Sequence, residues 1–217
     1  MFLSVGRHRR APRRFAGKDL YWWLERSGRF AQTVDSLPAG EWPPGVLVTG
    51  VNGGYDLDIR RLAAAGVEVV GRVNGVTDGT IILDPDVNDV LNAADQAHVG
   101  FMTLMGELAK KEFGVDAPDA NDAIARPVAD IEYVDSINLD RQNIRTVIWA
   151  TGYAYDYRWV HVPVFDSSGR PRQRRGVTDR PGLYFLGLHW MHTFKSGLFS
   201  GVGADAEYLA EHMDRSS

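Results

Sequence analysis

Val46-Leu-Val-Thr-Gly50-Val-Asn-Gly-Gly54-Tyr-Asp-Leu-Asp58-Ile-Arg-Arg-Leu-Ala-Ala-Ala65-Gly-Val-Glu-Val-Val70 reads as strand, helix and strand in succession. Val46 to Thr49 is a short apolar run rich in β-branched residues. From about Asp56 to Ala65 the pattern fits one helix, with Gly66 suited to its C-terminal cap. Val67 to Val73 resumes as a strand. The turn-rich Asn74-Gly-Val-Thr-Asp-Gly79 then leads to Thr80–Leu83, an antiparallel hairpin or meander. Working outward, Phe2 to Val5 reads as a buried strand at the very start of the chain. Asp19 precedes Leu20, Trp23 and Leu24 at helical spacing and suits an N-cap.

Downstream, Val90, Leu91, Ala94, Ala97, Phe101, Leu104, Met105 and Leu108 recur with a helical period, predicting one long helix over 88–113. Lys110 and Lys111 in its last turn and Gly114 after it mark its end. Val115 to Pro127, rich in Asp, Ala and Pro, has linker composition. Thr146-Val-Ile-Trp-Ala150 predicts a buried strand ending at Thr151-Gly152-Tyr153, and a hairpin-like excursion follows around Asp166-Ser-Ser-Gly169. Leu183-Tyr-Phe-Leu-Gly187 predicts a second buried strand, and a glycine-rich loop leads into a final helix over about 204–213. The fold class expected is α/β, divided into residues 1–114, a linker at 115–140, and residues 141–217.

Composition narrows the function classes. A 217-residue chain with 44% hydrophobic residues can bury a core. A formal net charge of −4 creates no overall basic field for nucleic acid or anionic membrane. The absence of cysteine excludes disulfides, thiolate metal sites and thiol nucleophiles. No export signal and no run long enough to span a membrane is read, so the expected setting is soluble and cytoplasmic.

In a doubly wound nucleotide-binding sheet, the end of the second strand faces the adenosine ribose, and arginine there accommodates a 2′-phosphate. If Phe2–Val5 is that strand, Arg7, Arg9 and Arg10 stand at that position, with guanidinium forks that match phosphate oxygens. A solvated basic turn accounts for the same residues. His189 and His192 lie at metal-ligand spacing, but no compact set of carboxylates accompanies them. Ser196-Gly-Leu-Phe-Ser200-Gly has no nucleophile elbow. The six tryptophans are scattered across elements, as core residues are. No general acid or base and no metal ligand is assigned.

Four segments together carry a family resemblance: Leu3-Ser-Val-Gly-Arg-His-Arg-Arg10, Val48-Thr-Gly-Val-Asn-Gly-Gly54, Trp149-Ala-Thr-Gly-Tyr153 and Gly182-Leu-Tyr-Phe-Leu-Gly-Leu-His189. Their order and spacing resemble the second half of bacterial flavoproteins of the flavin-containing monooxygenase superfamily. The resemblance implies part of a Rossmann-like fold with two dinucleotide-binding domains and a long helix between the halves. It implies FAD and NADP as cofactors, oxidation of a small-molecule substrate, and Thr151, Gly152, Gly187, Leu188, His189 and Ser196 near the flavin. It also implies what is absent: neither Gly-x-Gly-x-x-Gly loop is present. Gly201-Val-Gly-Ala-Asp-Ala206 has similar spacing but no strand before it, and Phe185 to His192 only approaches the family's further signature. The readings left open are an oxidoreductase completed by an N-terminal segment, another polypeptide or self-association, and a catalytically inactive nucleotide-binding or interaction fragment.

Overall fold

The computed structural model describes residues 1–38, 43–116 and 130–216, and every structural statement below concerns those residues. The chain divides into two compact units, Met1–Trp23 with Pro43–Trp149, and Leu24–Trp42 with Ala150–Ser217.

The first unit is mixed α/β. In chain order it contains β1 (Phe2–Ser4), β2 (Arg9–Arg10), β3 (Arg14–Phe15), β4 (Lys18–Asp19), the start of α1 (Leu20–Arg26), β5 (Val46–Leu47), α2 (Ile59–Ala64), β6 (Glu68–Val70), β7 (Val73–Thr77), β8 (Thr80–Leu83), α3 (Val87–Phe113) and β9 (Ser136–Asn138). β1 pairs in parallel with β6, and β2 in parallel with β5. β7, β8 and β9 form an antiparallel sheet of three. Asp78 and Gly79, both at positive φ, make the tight β7–β8 turn, whose twist matches the strands it joins.

Local chemistry accounts for the helices. Asp19 accepts the Tyr21 N–H at 3.0 Å, which starts α1 as the sequence predicts. Trp23 in α1 is fully buried, donates its indole N–H to the Phe15 carbonyl at 3.0 Å, and packs edge-on to Phe15 and Phe113. Asp58 caps α2 by accepting the Arg60 and Arg61 N–H groups. Gly66, at positive φ, follows that helix. α3 runs 27 residues, about 40 Å, and Gly114 closes it in a left-handed conformation with its N–H on the Lys110 carbonyl. The apolar face buries Val87, Val90, Leu91, Ala94, Phe101 and Met105. Ala97, which shares the periodicity, is exposed, and His98 and Met102 are buried instead.

Two clusters contribute to the core of this unit. Val5, Ile59, Val69, Val87 and Leu91 join β1, α2, β6 and α3. Val70, Leu83 and Ile137 seal the antiparallel sheet, with Ile144 packed against them.

The second unit contains the hairpin of β10 (Gln173–Arg174) and β11 (Val177–Thr178) and ends in α4 (Val202–Ser216). The excursion expected around Asp166–Gly169 is present: Phe165 bridges Pro171, and the Asp166 carboxylate accepts the Ser168 and Arg170 N–H groups. Val164, Trp190, Met191 and Leu209 are buried. α4 starts at Val202, so Gly203 lies inside a helix and the Gly201–Ala206 spacing belongs to a helix start.

Several expectations change. Residues 146–150 are not a buried strand: they pair with no described segment, and Val147, Ile148 and Trp149 are exposed. Leu183–Gly187 is reduced to a single bridge, between Tyr184 and Val177, with Leu186 exposed. Trp149 and Trp159 are surface residues rather than core, and Trp42 lies outside the described residues. The described strands form five small sheets of two or three strands. The cause is common to all these differences: an apolar run becomes a central strand only where neighbours flank both edges and layers cover both faces. Of the linker expected over 115–140, residues 117–129 lie outside the described residues, and Ser136–Asn138 within it forms β9, paired with β8.

Candidate functional site

The arginine cluster in the first unit follows directly from strand pairing. The β1–β6 ladder continues through the Val5 N–H, which donates to the Val70 carbonyl at 3.0 Å. The chain then leaves the carboxyl end of a parallel strand at Gly6, with the His8 ring nitrogen 2.9 Å from the Gly6 carbonyl oxygen. Arg7 is exposed there and makes no ion pair among the described residues. Arg9 is half-buried in β2, with its backbone N–H on the Gly45 carbonyl at 2.9 Å.

Arg10 is already engaged. Its two terminal nitrogens lie 2.9 Å from Asp58 and 2.9 Å from Asp95, and these three side chains are only 12–15% exposed. Asp95 also pairs with Arg60 Nε at 2.9 Å, and Arg60 donates to Asn92 at 2.7 Å. Asp58 therefore both caps α2 and holds β2, while Asp95 ties both arginines to α3. His98, one turn beyond Asp95, is buried, and its Nδ1 has no hydrogen-bond partner among the described residues. Burial, helped by the Arg10 charge, lowers the pKa of this ring below the ordinary imidazole value against the opposing pull of Asp56, Asp95 and Asp58.

In the second unit the segment from Gly187 to Val202 folds back on itself. A side chain on Gly197 would meet the Gly187 carbonyl and His189 Cα at 3.4 Å, and one on Gly187 would meet Val202 at 3.9 Å. The Leu188 carbonyl accepts the Met191 N–H, closing a turn. Ser196 is fully buried, and its Oγ accepts the Thr193 N–H at 2.9 Å and the His192 N–H at 3.2 Å, forming a capping box on the 3₁₀ turn Phe194–Gly197. The His189 N–H donates to the Tyr155 hydroxyl at 2.9 Å, and desolvation lowers the pKa of the His189 ring. The structure thus gathers Gly187, Leu188, His189 and Ser196. Thr151 and Gly152 are exposed, linked to that group only along the chain through Tyr155.

Two features here had no clear sequence signal. Asp205, in the first turn of α4, is buried at 2% exposure; one oxygen lies 3.4 Å from Arg175 Nε and the other has no hydrogen-bond partner among the described residues. Arg175 in turn lies over the Tyr208 ring at 4.2 Å. A surface cleft of about 520 Å³ beside β11, lined by residues such as Asp179, Arg180, Tyr184 and His212, contains none of the expected site residues.

These residues fit a flavin and a nicotinamide dinucleotide only in part. Arg7 is an exposed cation just beyond the carboxyl end of β1, a group able to pair with phosphate oxygens, but the glycine-rich turn between β5 and α2, Gly50 to Gly54, lacks the Gly-x-Gly-x-x-Gly spacing that cradles a pyrophosphate. The first turn of α4 is occupied by the buried Asp205 side chain of this chain itself. Among the described residues no three side chains converge as metal ligands, and no helix is long and apolar enough to cross a membrane.

The chain matches no protein-family model and no solved structure. It is similar to curated bacterial proteins named as oxidoreductases. A Geobacillus kaustophilus (strain HTA426) protein named uncharacterized oxidoreductase CzcO-like is 51% identical over 80 residues, 36% of this chain and 22% of that protein. The Bacillus subtilis (strain 168) protein named uncharacterized oxidoreductase CzcO is 42% identical over 92 residues, 42% of this chain and 26% of its own length. Its Bacillus velezensis namesake is 34% identical over 131 residues, 54% of this chain and 37% of its own length. The chain therefore spans between 22% and 37% of the length of these relatives.

Proposed function

We propose that this chain is the NADP-side and C-terminal flavin-side portion of an FAD- and NADPH-dependent oxidoreductase resembling the flavin-containing monooxygenases, acting on a small-molecule substrate. The observation that carries the reading is the parallel pairing of β1 with β6, which sets Arg7 at the carboxyl end of a parallel strand, where doubly wound sheets receive the adenosine ribose. The named oxidoreductase relatives support the same class.

The chemistry that such cofactors supply when bound is hydride transfer from nicotinamide to flavin. The residues of this chain orient and exclude. Arg7 and Arg9 receive the 2′-phosphate, and Arg10 fixes their loop through Asp58 and Asp95. Gly187, Leu188, His189 and Ser196, with Thr151 and Gly152, form the flavin-side loops, and the Ser196 hydroxyl holds the backbone of the first of these at His192 and Thr193.

Without the pyrophosphate cradles, turnover by the chain alone is not expected. A second reading, an interaction fragment without redox turnover, is favoured by the exposure of Val147–Trp149. The two separate on flavin retention. The chain is co-expressed with the part of the Geobacillus kaustophilus relative lying outside the matched segment, incubated with FAD and desalted. A retained band at about 450 nm supports the oxidoreductase reading, and a colourless complex favours the interaction fragment.

A further inference from the structure

Val51-Asn-Gly53 and Val73-Asn-Gly75 are the same tripeptide. When glycine follows asparagine, its backbone nitrogen reaches the side-chain amide freely, because no Cβ stands in the way. The fold gives the two copies opposite settings. Asn52 is exposed in the loop between β5 and α2, in a left-handed conformation at φ 51° and ψ 39°, and Gly53 and Gly54 follow it at φ 83° and 88°. A Cβ on Gly53 would meet nothing closer than Arg14 Nη2 at 4.0 Å. The ties across this loop are local or exposed: the Gly54 N–H donates to the Val51 carbonyl at 2.9 Å, and Arg14 donates to the Gly53 carbonyl at 2.9 Å. Arg13 lies against Gly54, and its Nε is buried with no hydrogen-bond partner among the described residues. Asn74 lies instead within β7, where Val73 pairs with Leu83 and Gly75 with Ile82 of β8. Bringing the Gly75 nitrogen onto its neighbour requires that ladder to open.

We propose that Asn52 is a self-modifying site, which the fold selects over Asn74 for loss of its side-chain amide. The Gly53 backbone nitrogen gives its proton to hydroxide and attacks Asn52 Cγ. The bond from Cγ to the side-chain nitrogen breaks, and that nitrogen takes a proton from water and leaves as ammonia, regenerating hydroxide. Water then opens the cyclic imide at either carbonyl and leaves aspartate or isoaspartate at residue 52. Negative charge develops on the Cγ oxygen during the attack, and the guanidinium groups of Arg13 and Arg14 beside the loop lower its cost. Isoaspartate routes the backbone through one additional carbon, which displaces the Gly53 carbonyl and the Gly54 N–H from Arg14 and Val51. The modification therefore places a carboxylate beside two arginines and loosens the loop that Arg14 holds. It does not depend on the oxidoreductase reading.

The full chain is incubated in mildly alkaline buffer, both native and unfolded in concentrated urea, and its peptides are mapped over time by mass spectrometry with aspartate separated from isoaspartate. In the native chain Asn52 is expected to convert at least about tenfold faster than Asn74, with both acidic products present and a rate that rises with hydroxide concentration. In urea the two sites are expected to convert at closely similar rates, because each is flanked by the same valine and glycine. Asn52→Gln, whose longer side chain must close a larger ring, removes the early acidic species. A native chain that keeps its Asn52 amide overturns the proposal, as do equal native rates at the two sites. A preference for Asn52 that survives in urea overturns it as well, since the fold is then not its cause. So does an early acidic species that persists in Asn52→Gln.

Discussion

Replacing Arg10 by methionine removes the cation that joins Asp58 to Asp95 while keeping most of the side-chain volume. In the native chain both contacts are 2.9 Å, and the three side chains are 12–15% exposed. Breaking a fully buried ion pair costs about 3–5 kcal/mol because a desolvated charge is left behind. Two features reduce that here. Asp95 keeps Arg60 at 2.9 Å, and Asp58 keeps the two backbone N–H groups that it caps. A loss of about 2–3 kcal/mol remains. For a chain of this size each kcal/mol moves the midpoint by about 2–4 °C, so thermal unfolding followed by circular dichroism should fall by about 4–12 °C. Arg7→Met, at an exposed side chain without an ion pair, should stay within about 1 °C. If Arg10→Met also moves the midpoint by less than about 1 °C, the network does not hold the strand end and the structural role given to Arg10 is wrong.

Three further outcomes follow from the same reasoning. Burial lowers the pKa of His98 below its ordinary 6.5, so below that pH the unfolded chain takes up a proton that the folded chain refuses. The neutral ring costs nothing above about pH 6.5, and stability falls as pH drops from there toward the depressed folded value; the unfolding midpoint should therefore fall less between about pH 7.5 and about pH 5.5 in His98→Leu than in the native chain, and equal falls would contradict this. Ser196→Ala strips the acceptor from the His192 and Thr193 N–H groups at a fully buried site, and urea unfolding should show a loss of about 1–3 kcal/mol; an unchanged midpoint would mean that the capping box contributes nothing. Gly201→Ala places a Cβ 2.2 Å from the Lys195 carbonyl oxygen and 2.6 Å from its carbon, so backbone must shift; a loss of about 3 kcal/mol is expected, seen as faster limited proteolysis of residues 150–216, and native resistance would count against the packing described.

What the sequence made legible was local. The period of α3, its left-handed Gly114 and the Asp19 cap are decided by residues within a turn or two of one another, and the structure repeats them, whereas the turn expected over Asn74–Gly79 shrinks to Asp78 and Gly79 because residues 74–77 pair with β8 as strand β7. The Arg10–Asp95 contact joins residues 85 apart, and no local pattern marks it. His98 was passed over because a polar residue type hides a buried position on the apolar face of a helix. Thr146–Ala150 and Leu183–Gly187 failed in the opposite direction: apolar composition records which side chains favour burial, while burial itself depends on a layer that the described chain does not supply. Of the candidate flavin-side residues, Gly187, Leu188, His189 and Ser196 lie on one folded-back segment, while Thr151 and Gly152 are exposed outside it. Nothing in the sequence signalled that Arg10 would be consumed by carboxylates or that Asp205 would be buried in the first turn of α4.

The most direct test of the central claim is anaerobic bleaching of the flavin band at about 450 nm. It is followed in the chain assembled with the remaining part of its Geobacillus kaustophilus relative and loaded with FAD, as NADPH or NADH is added. The account predicts that NADPH bleaches the band at least about tenfold faster than NADH at equal low concentration, and that Arg7→Ala removes most of that preference. A flavin that is retained but bleached equally by both nucleotides, with no effect of Arg7, would contradict the assignment of this arginine loop to the NADP phosphate.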